Sequence, residues 1–183
     1  TFPAFSTSGC IYIEKLYNEI IIGRRYFMEF LLESKQLDDY LQETTEINYS
    51  DPLIQQKTNL LFNHKQTEVE KAQLAYRFVR DQIAHSWDIQ SNRVTCSASE
   101  VLQFKEGICY AKSNLLAALL RFQGIPTGFC YQRLLLFDRP EDGYSLHAFN
   151  AIYLSSIGKW IRVIICCTFC KFVSTFLTSF LIS

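Results

Sequence analysis

Two side chains hold the reactive chemistry open to this sequence. Cys109 stands in "KEGICYAKSNLLAALLRFQGIPTGF", Lys105 to Phe129, between a glycine-led turn and a strongly helical run. A thiol acts as a nucleophile near neutral pH when three conditions hold: its pKa is lowered, a base lies within hydrogen-bond reach, and that base has an orienting partner. A cysteine at the start of a helix meets the partial positive charge of the N-terminus, which favours thiolate. Gly107 lets the turn pack closely and leaves backbone N–H groups open to hold an oxyanion. His147 is the natural base. It opens the strand pattern "HAFNAIYL" after a turn-rich loop, where alternation puts His147, Phe149 and Ala151 on one face and Ala148, Asn150 and Ile152 on the other. Each signal alone has a plainer reading, since a lone buried cysteine is often a small hydrophobe and a strand histidine is often ordinary structure.

The elements that must position this pair can be read from local signals. Asp51-Pro52 begins a helix, with proline in its first turn, that runs through "LIQQKTNLLF". Thr67-Glu68-Val69-Glu70 is a capping box, and Val69, Ala72, Tyr76, Val79 and Ile83 then keep one apolar helical face. Ser97-Ala98-Ser99-Glu100 is a second capping box, opening a short helix to about Phe104. The helix from Cys109 to about Phe122 is so dense in Leu and Ala that it must be largely buried. Gly124 suits the left-handed residue just past its end, and Pro126 blocks continuation. "TGFCYQRLLLF", "HAFNAIYL" and "WIRV" read as strands joined by "DRPEDGYS" and "SSIGK". Helices first and an antiparallel meander after them make an α+β fold, with the cysteine-bearing helix packed on the sheet.

With those elements in order, "TCSASEVLQFKEGICYAKSNLLAALLRFQGIPTGFCYQ", "HAFNAIYL" and "WIRV" together resemble the bacterial transglutaminase-like superfamily, whose fold is related to papain-like cysteine proteases. The resemblance covers roughly residues 70–163 and includes "HSWDI" at 85–89. It implies a Cys–His–Asp triad with Cys109 as nucleophile and His147 as base. The implied function is acyl transfer through a cysteine thioester, ending in amide or peptide hydrolysis or in transamidation of a peptide or protein substrate. No cofactor is implied, and no acidic cluster suggests calcium. Trp87 could line the acyl site or help form the oxyanion hole, although core packing is the commoner fate of a tryptophan. Lys112, three residues past the nucleophile, reads as a solvated charge.

The third triad member departs from the family pattern. The pattern expects an aspartate directly after the W-x-x-V strand, and the chain has Ile164 there, 17 residues after His147. Isoleucine cannot accept the imidazole N–H, so impaired chemistry is expected. An inactive domain that at most binds peptides is the alternative. The apolar run "IICCTFCKFVSTFLTSFLIS" starts at the same residue. Its length is close to a membrane span. It follows a soluble strand without a linker, however, which favours an out-of-frame or truncated end at residues 164–183 over a membrane helix. Residues 1–27 lack a starting methionine, and the only Met is Met28. Gly23-Arg24-Arg25 can be encoded by a purine-rich ribosome-binding sequence, so residues 1–27 are expected to be upstream sequence and residues 28–163 the domain proper.

Bulk composition excludes other classes. The 183 residues are 49% hydrophobic and 15% aromatic, enough for one globular core. Lys+Arg and Asp+Glu are both 18, with no basic stripe, which argues against nucleic acid. The seven cysteines have no regular spacing, and no signal peptide opens the chain, so a reduced, cytoplasmic setting is expected. His64 and His85 lack partners at metal-ligand spacing, and Cys167 and Cys170 form an isolated C-x-x-C, so no zinc site is expected.

Sequencing the coding DNA tests the lost frame. A one-base shift that restores W-I-R-V-D at codon 164 is the expected result, and an isoleucine codon in an undisturbed frame is the contrary one.

Overall fold

The computed structural model describes residues 10–12, 31–135, 141 and 143–165. In chain order, these hold strands β1 (Cys10–Tyr12) and β2 (Leu31–Leu32), a 3-10 turn (Leu37–Leu41), and helices α1 (Pro52–Leu61) and α2 (Glu68–Gln82). Strand β3 (Ala84–His85), helix α3 (Ala98–Phe104), strand β4 (Glu106–Gly107) and helix α4 (Cys109–Arg121) follow. The last three elements are strands β5 (Thr127–Leu135), β6 (Tyr144–Leu154) and β7 (Lys159–Val163).

The helix starts are fixed by the side chains that the sequence supplies. Asp51 Oδ1 accepts the Leu53 N–H at 2.8 Å, with Pro52 in the first turn. Thr67 and Glu70 close a reciprocal capping box on α2, and Ser97 and Glu100 close another on α3. Each such cap is worth about 1 kcal/mol. Past the end of α4, Gly124 takes φ +72, the left-handed conformation that glycine reaches without a Cβ penalty.

The main sheet has the order β2-β1-β5-β6-β7. Strands β5, β6 and β7 form the expected antiparallel meander, and the α+β architecture holds. The sheet also extends beyond the meander: β1 lies parallel against β5, with β2 antiparallel outside it. Strand β6 differs from the sequence reading in where it starts. The β5–β6 ladder continues to Leu135↔Tyr144, so His147 is paired with Gln132 inside a strand and does not open one.

The predicted alternation along β6 divides two cores. On the α4 side, Ile152 and Leu154 join Ile54, Ala75, Val79, Ile83, Val101 and the leucines of α4. On the other side, Phe149 and Ala151 cluster with Tyr40, Cys130 and Ile164, and Trp160 closes the edge with its ring 4.8 Å from that of Tyr40. Ala111 and the six residues from Leu115 to Leu120 have no exposed surface, as a helix sandwiched between a sheet and three other helices requires.

Gly107 is the tightest point in the approach to α4. A Cβ there would lie 3.1 Å from Ala111 Cβ and 3.1 Å from Thr95 Oγ1. Gly107→Ala is expected to lower stability by about 1–3 kcal/mol through overpacking, read as a reduced urea midpoint. An unchanged midpoint would show that the turn has room to relax.

Candidate functional site

Cys109 is the first residue of α4 and is half-buried. Ile108 precedes it without a side-chain cap, so the helix starts on backbone groups alone, and its first N–H groups have no intrahelical acceptor. The turn carrying the cysteine is tied down on several sides. His85 pairs with Gly107 in the parallel β3–β4 ladder, and the Ala84 N–H donates to the Lys105 carbonyl at 2.8 Å. Thr95 Oγ1 donates to the Glu106 carbonyl at 3.0 Å. Arg93 meets the largely buried Glu106 carboxylate at 2.9 Å.

Lys112 corrects the sequence reading. It is 1% exposed, and its Nζ donates to the Ile83 carbonyl at 2.7 Å, pinning α4 to the end of α2. A lysine one turn into a buried helix can reach a carbonyl left open at the end of a neighbouring helix, and that bond compensates its burial.

Two contacts set the relative course of α4 and β6. Asn150 Nδ2 donates to the Ser113 carbonyl at 3.3 Å, while Arg121 grips the Thr127 carbonyl, opposite Ile152, at 3.0 and 2.6 Å. Helix and strand therefore run in the same sense. Cys109 lies about 6 Å along the helix before Ser113, and His147 about 10 Å along the strand before Asn150. Both residues belong to the same end of the packed pair.

His147 is 5% exposed, and its Nε2 is buried with no hydrogen-bond partner among the described residues. Its ring stacks on Phe149, with centroids 6.1 Å apart and planes inclined by 28°. Burial pushes its pKa below the ordinary 6.5, and the charge of His85 adds to the shift. His85 behaves alike: burial lowers its pKa, Asp88 opposes and Lys112 reinforces, and its Nδ1 is also buried without a partner among the described residues. Both surroundings therefore favour the neutral imidazole.

Ile164 is one residue past the last β6–β7 pair, Asn150↔Val163. It is 8% exposed and packs in the Phe149 cluster, on the same strand face as His147. The position where the family pattern places a carboxylate thus offers methyl groups to the face that bears the unpartnered imidazole nitrogen. Trp87 is 67% exposed in the turn after β3, so the core-packing reading of that residue is wrong. It stands two residues after His85 because the chain turns outward there: its carbonyl accepts the N–H of Gln90.

The sequence pattern offers His85 as part of the resemblance and as a metal ligand without partners, but not as a neighbour of the cysteine turn. The segment "HSWDI" was the available signal. No group of three His, Cys, Asp or Glu residues that could hold a metal ion occurs among the described residues. Among them, no helix is long and apolar enough to cross a membrane. Cys166, Cys167 and Cys170, most of the apolar run, and all of residues 1–27 except 10–12 lie outside the described residues.

One family model matches the chain. The model of the transglutaminase-like superfamily matches residues 55–164, more than half of the chain, including Cys109 and His147 and ending on Ile164. No curated protein matches the chain. Among solved structures, the chain is similar in fold to "a Putative Cysteine Protease from Cytophaga hutchinsonii", with a TM-score of 0.56 and 16% identity over 72% of this chain. It also matches the periplasmic domain of TgpA from Pseudomonas aeruginosa, with a TM-score of 0.47 and 22% identity over 74% of this chain. The chain spans 42% and 51% of the lengths of those two proteins.

The buried histidines make stability depend on pH. Their folded pKa values lie below the ordinary 6.5, so below that pH the unfolded chain holds more protons, and stability rises with pH across the window. The contribution is complete above about pH 6.5 and is lost as pH falls through the folded values. The urea midpoint is expected to drop between about pH 7.5 and pH 5.5, and to drop less in His147→Gln. Equal drops in both proteins would mean that His147 titrates as freely folded as unfolded.

Proposed function

Because the chain belongs to the transglutaminase-like superfamily, we propose that it is a cysteine acyl-transfer enzyme whose nucleophile is Cys109 and whose base is His147, slowed by Ile164. What supports the reading is a link through His85: the thiol is the first residue of a buried helix, the turn before it pairs with His85, and His85 is close enough to the buried His147 to lower its pKa. Neutral imidazole can take the thiol proton, which a protonated one could not.

In the proposed cycle the sulfur attacks the carbonyl carbon of a glutamine side chain or peptide bond, and the carbonyl electrons move to oxygen. The N–H groups at the start of α4 are suited to hold that oxyanion. The imidazolium of His147 gives its proton to the leaving nitrogen, the C–N bond breaks, and a thioester remains on Cys109. Water activated by the imidazole releases the acid and regenerates the thiol. An amine in place of water gives the cross-linked amide. Hydrolysis is the favoured outcome, with a peptide or protein as substrate and the cytoplasm as setting. We assign Trp87, exposed in the turn after β3, to the acyl-binding side.

Ile164 supports a second reading, an inactive domain that binds peptides. An imidazolium at His147 finds no carboxylate at that position, in surroundings that already disfavour its charge. Two variants separate the readings when release of ammonia or amine from a glutamine-containing peptide is measured. Cys109→Ser is expected to abolish turnover. Ile164→Asp is expected to raise kcat/KM by about 10²–10⁴-fold, the scale on which a triad carboxylate acts. No turnover in either the parent chain or Ile164→Asp, with both folded, would leave the inactive reading in place.

A further inference from the structure

Helix α1 carries two stripes, and only one is used by the core. Ile54 and Thr58 are buried. Leu53, Gln56, Lys57 and Leu60 recur at i, i+3, i+4 and i+7, and they line an open cleft of about 370 Å³ whose other wall is the end of α3. Leu53 is 44% exposed and Leu60 77%. Leu102 continues the apolar floor from α3. Singly exposed leucines are ordinary, but these share one concavity.

The charges in the cleft are of one sign. Lys57 Nζ stands 4.0 Å from the centroid of the Phe78 ring, and Lys105 Nζ stands 5.3 Å from the same centroid. Neither ammonium pairs with a carboxylate among the described residues, and no acidic side chain lines the cleft. Burial and the nearby Lys57 charge both push the Lys105 pKa down, as expected for two cations held together.

The backbone adds an independent sign. Lys105 caps α3 with φ +59, in the left-handed region where glycine would sit without strain. The conformation turns the chain into β4, and the side chain it carries is a lysine brought to the ring that Lys57 already covers.

We infer that the α1–α3 cleft is a docking subsite for an acidic segment of a polypeptide, with leucine-like side chains between Leu53, Leu60 and Leu102 and carboxylates on Lys57 and Lys105. Gln56 and Gln103, whose side-chain amides both donate and accept, are suited to bind peptide groups of the segment. That polar provision favours a polypeptide over a lipid chain. The subsite does not depend on Cys109 acting as a nucleophile.

Fluorescence anisotropy of the full chain with a fluorescein-labelled peptide of four Leu-Glu-Glu repeats tests the inference. Saturable binding is expected, weakening as salt rises from about 50 to about 300 mM, and a Leu-Lys-Lys peptide should not bind. Lys57→Glu combined with Lys105→Glu should weaken binding about tenfold or more. Cys109→Ser should leave it unchanged. Lys105→Gly relieves the backbone strain, so it should melt no lower than the parent while binding more weakly, which separates lost contact from lost fold. Equal binding of the acidic and basic peptides, or unchanged affinity in the double reversal or in Lys105→Gly, would overturn the proposal. So would displacement of the peptide by anionic phosphatidylglycerol vesicles but not by unlabelled peptide.

Discussion

The burial of α4 is the constraint on which the rest depends. A helix with Ala111 and Leu115–Leu120 entirely out of water needs partners within the protein for its polar side chains; Ser113 Oγ is left without one among the described residues, but the larger polar groups find theirs. Lys112 does so at the Ile83 carbonyl and Asn114 at the Cys96 carbonyl. Arg121 does so at the carbonyls of Thr127 and Gln42. Each bond ties α4 to a different part of the chain: the end of α2, the loop before α3, the start of β5 and the segment before α1. Removing one partner of a buried charge is costly, so these bonds fix the position of the helix along its axis as well as its burial. The placement of Cys109 is a by-product of that fixing. Its turn adds the close approach of Gly107 to Ala111 and Thr95, leaving little freedom in where the thiol sits.

What was legible in the sequence is what is local. The caps at Asp51, Thr67 and Ser97 are decided within four residues, and all three form as the sequence implied. The density of leucine in α4 announced its burial, and the alternation along β6 announced the two cores. Features that depend on distant partners were not legible. Lys112 can be buried because a carbonyl 29 residues away accepts its hydrogen bond. His147 lies inside a strand because the β5 ladder runs further than the turn signals suggested. The parallel pairing of β1 with β5 and of β3 with β4 involves two or three residues each, too few for any periodicity. That last pairing is what brings His85 to the cysteine turn, so the second histidine was invisible as a neighbour.

The site itself is chemically lopsided. The helix that starts at Cys109 and the strand that carries His147 are both present, and Ile164 lies in an apolar cluster with Phe149, Ala151, Cys130 and Tyr40 where the proposed triad would need a carboxylate. Burial and the neighbouring His85 already disfavour a charged His147, and no carboxylate at position 164 offsets them. On the proposed mechanism a thiolate–imidazolium pair would be harder to form here than in a complete triad, whereas proton transfer through neutral imidazole would stay open.

If Cys109 and His147 work as one thiol–imidazole site, the reactivity of the thiol must follow the titration of the histidine. The most direct measurement is the rate of Cys109 alkylation by iodoacetamide against pH, located by peptide mass spectrometry, in the parent chain and in His147→Ala. The account predicts that the parent profile carries an inflection from the histidine below its ordinary pKa of 6.5, with alkylation faster near pH 7 than for a free thiol. Both features should vanish in His147→Ala. Superimposable profiles, each rising only with simple thiol ionisation, would contradict it.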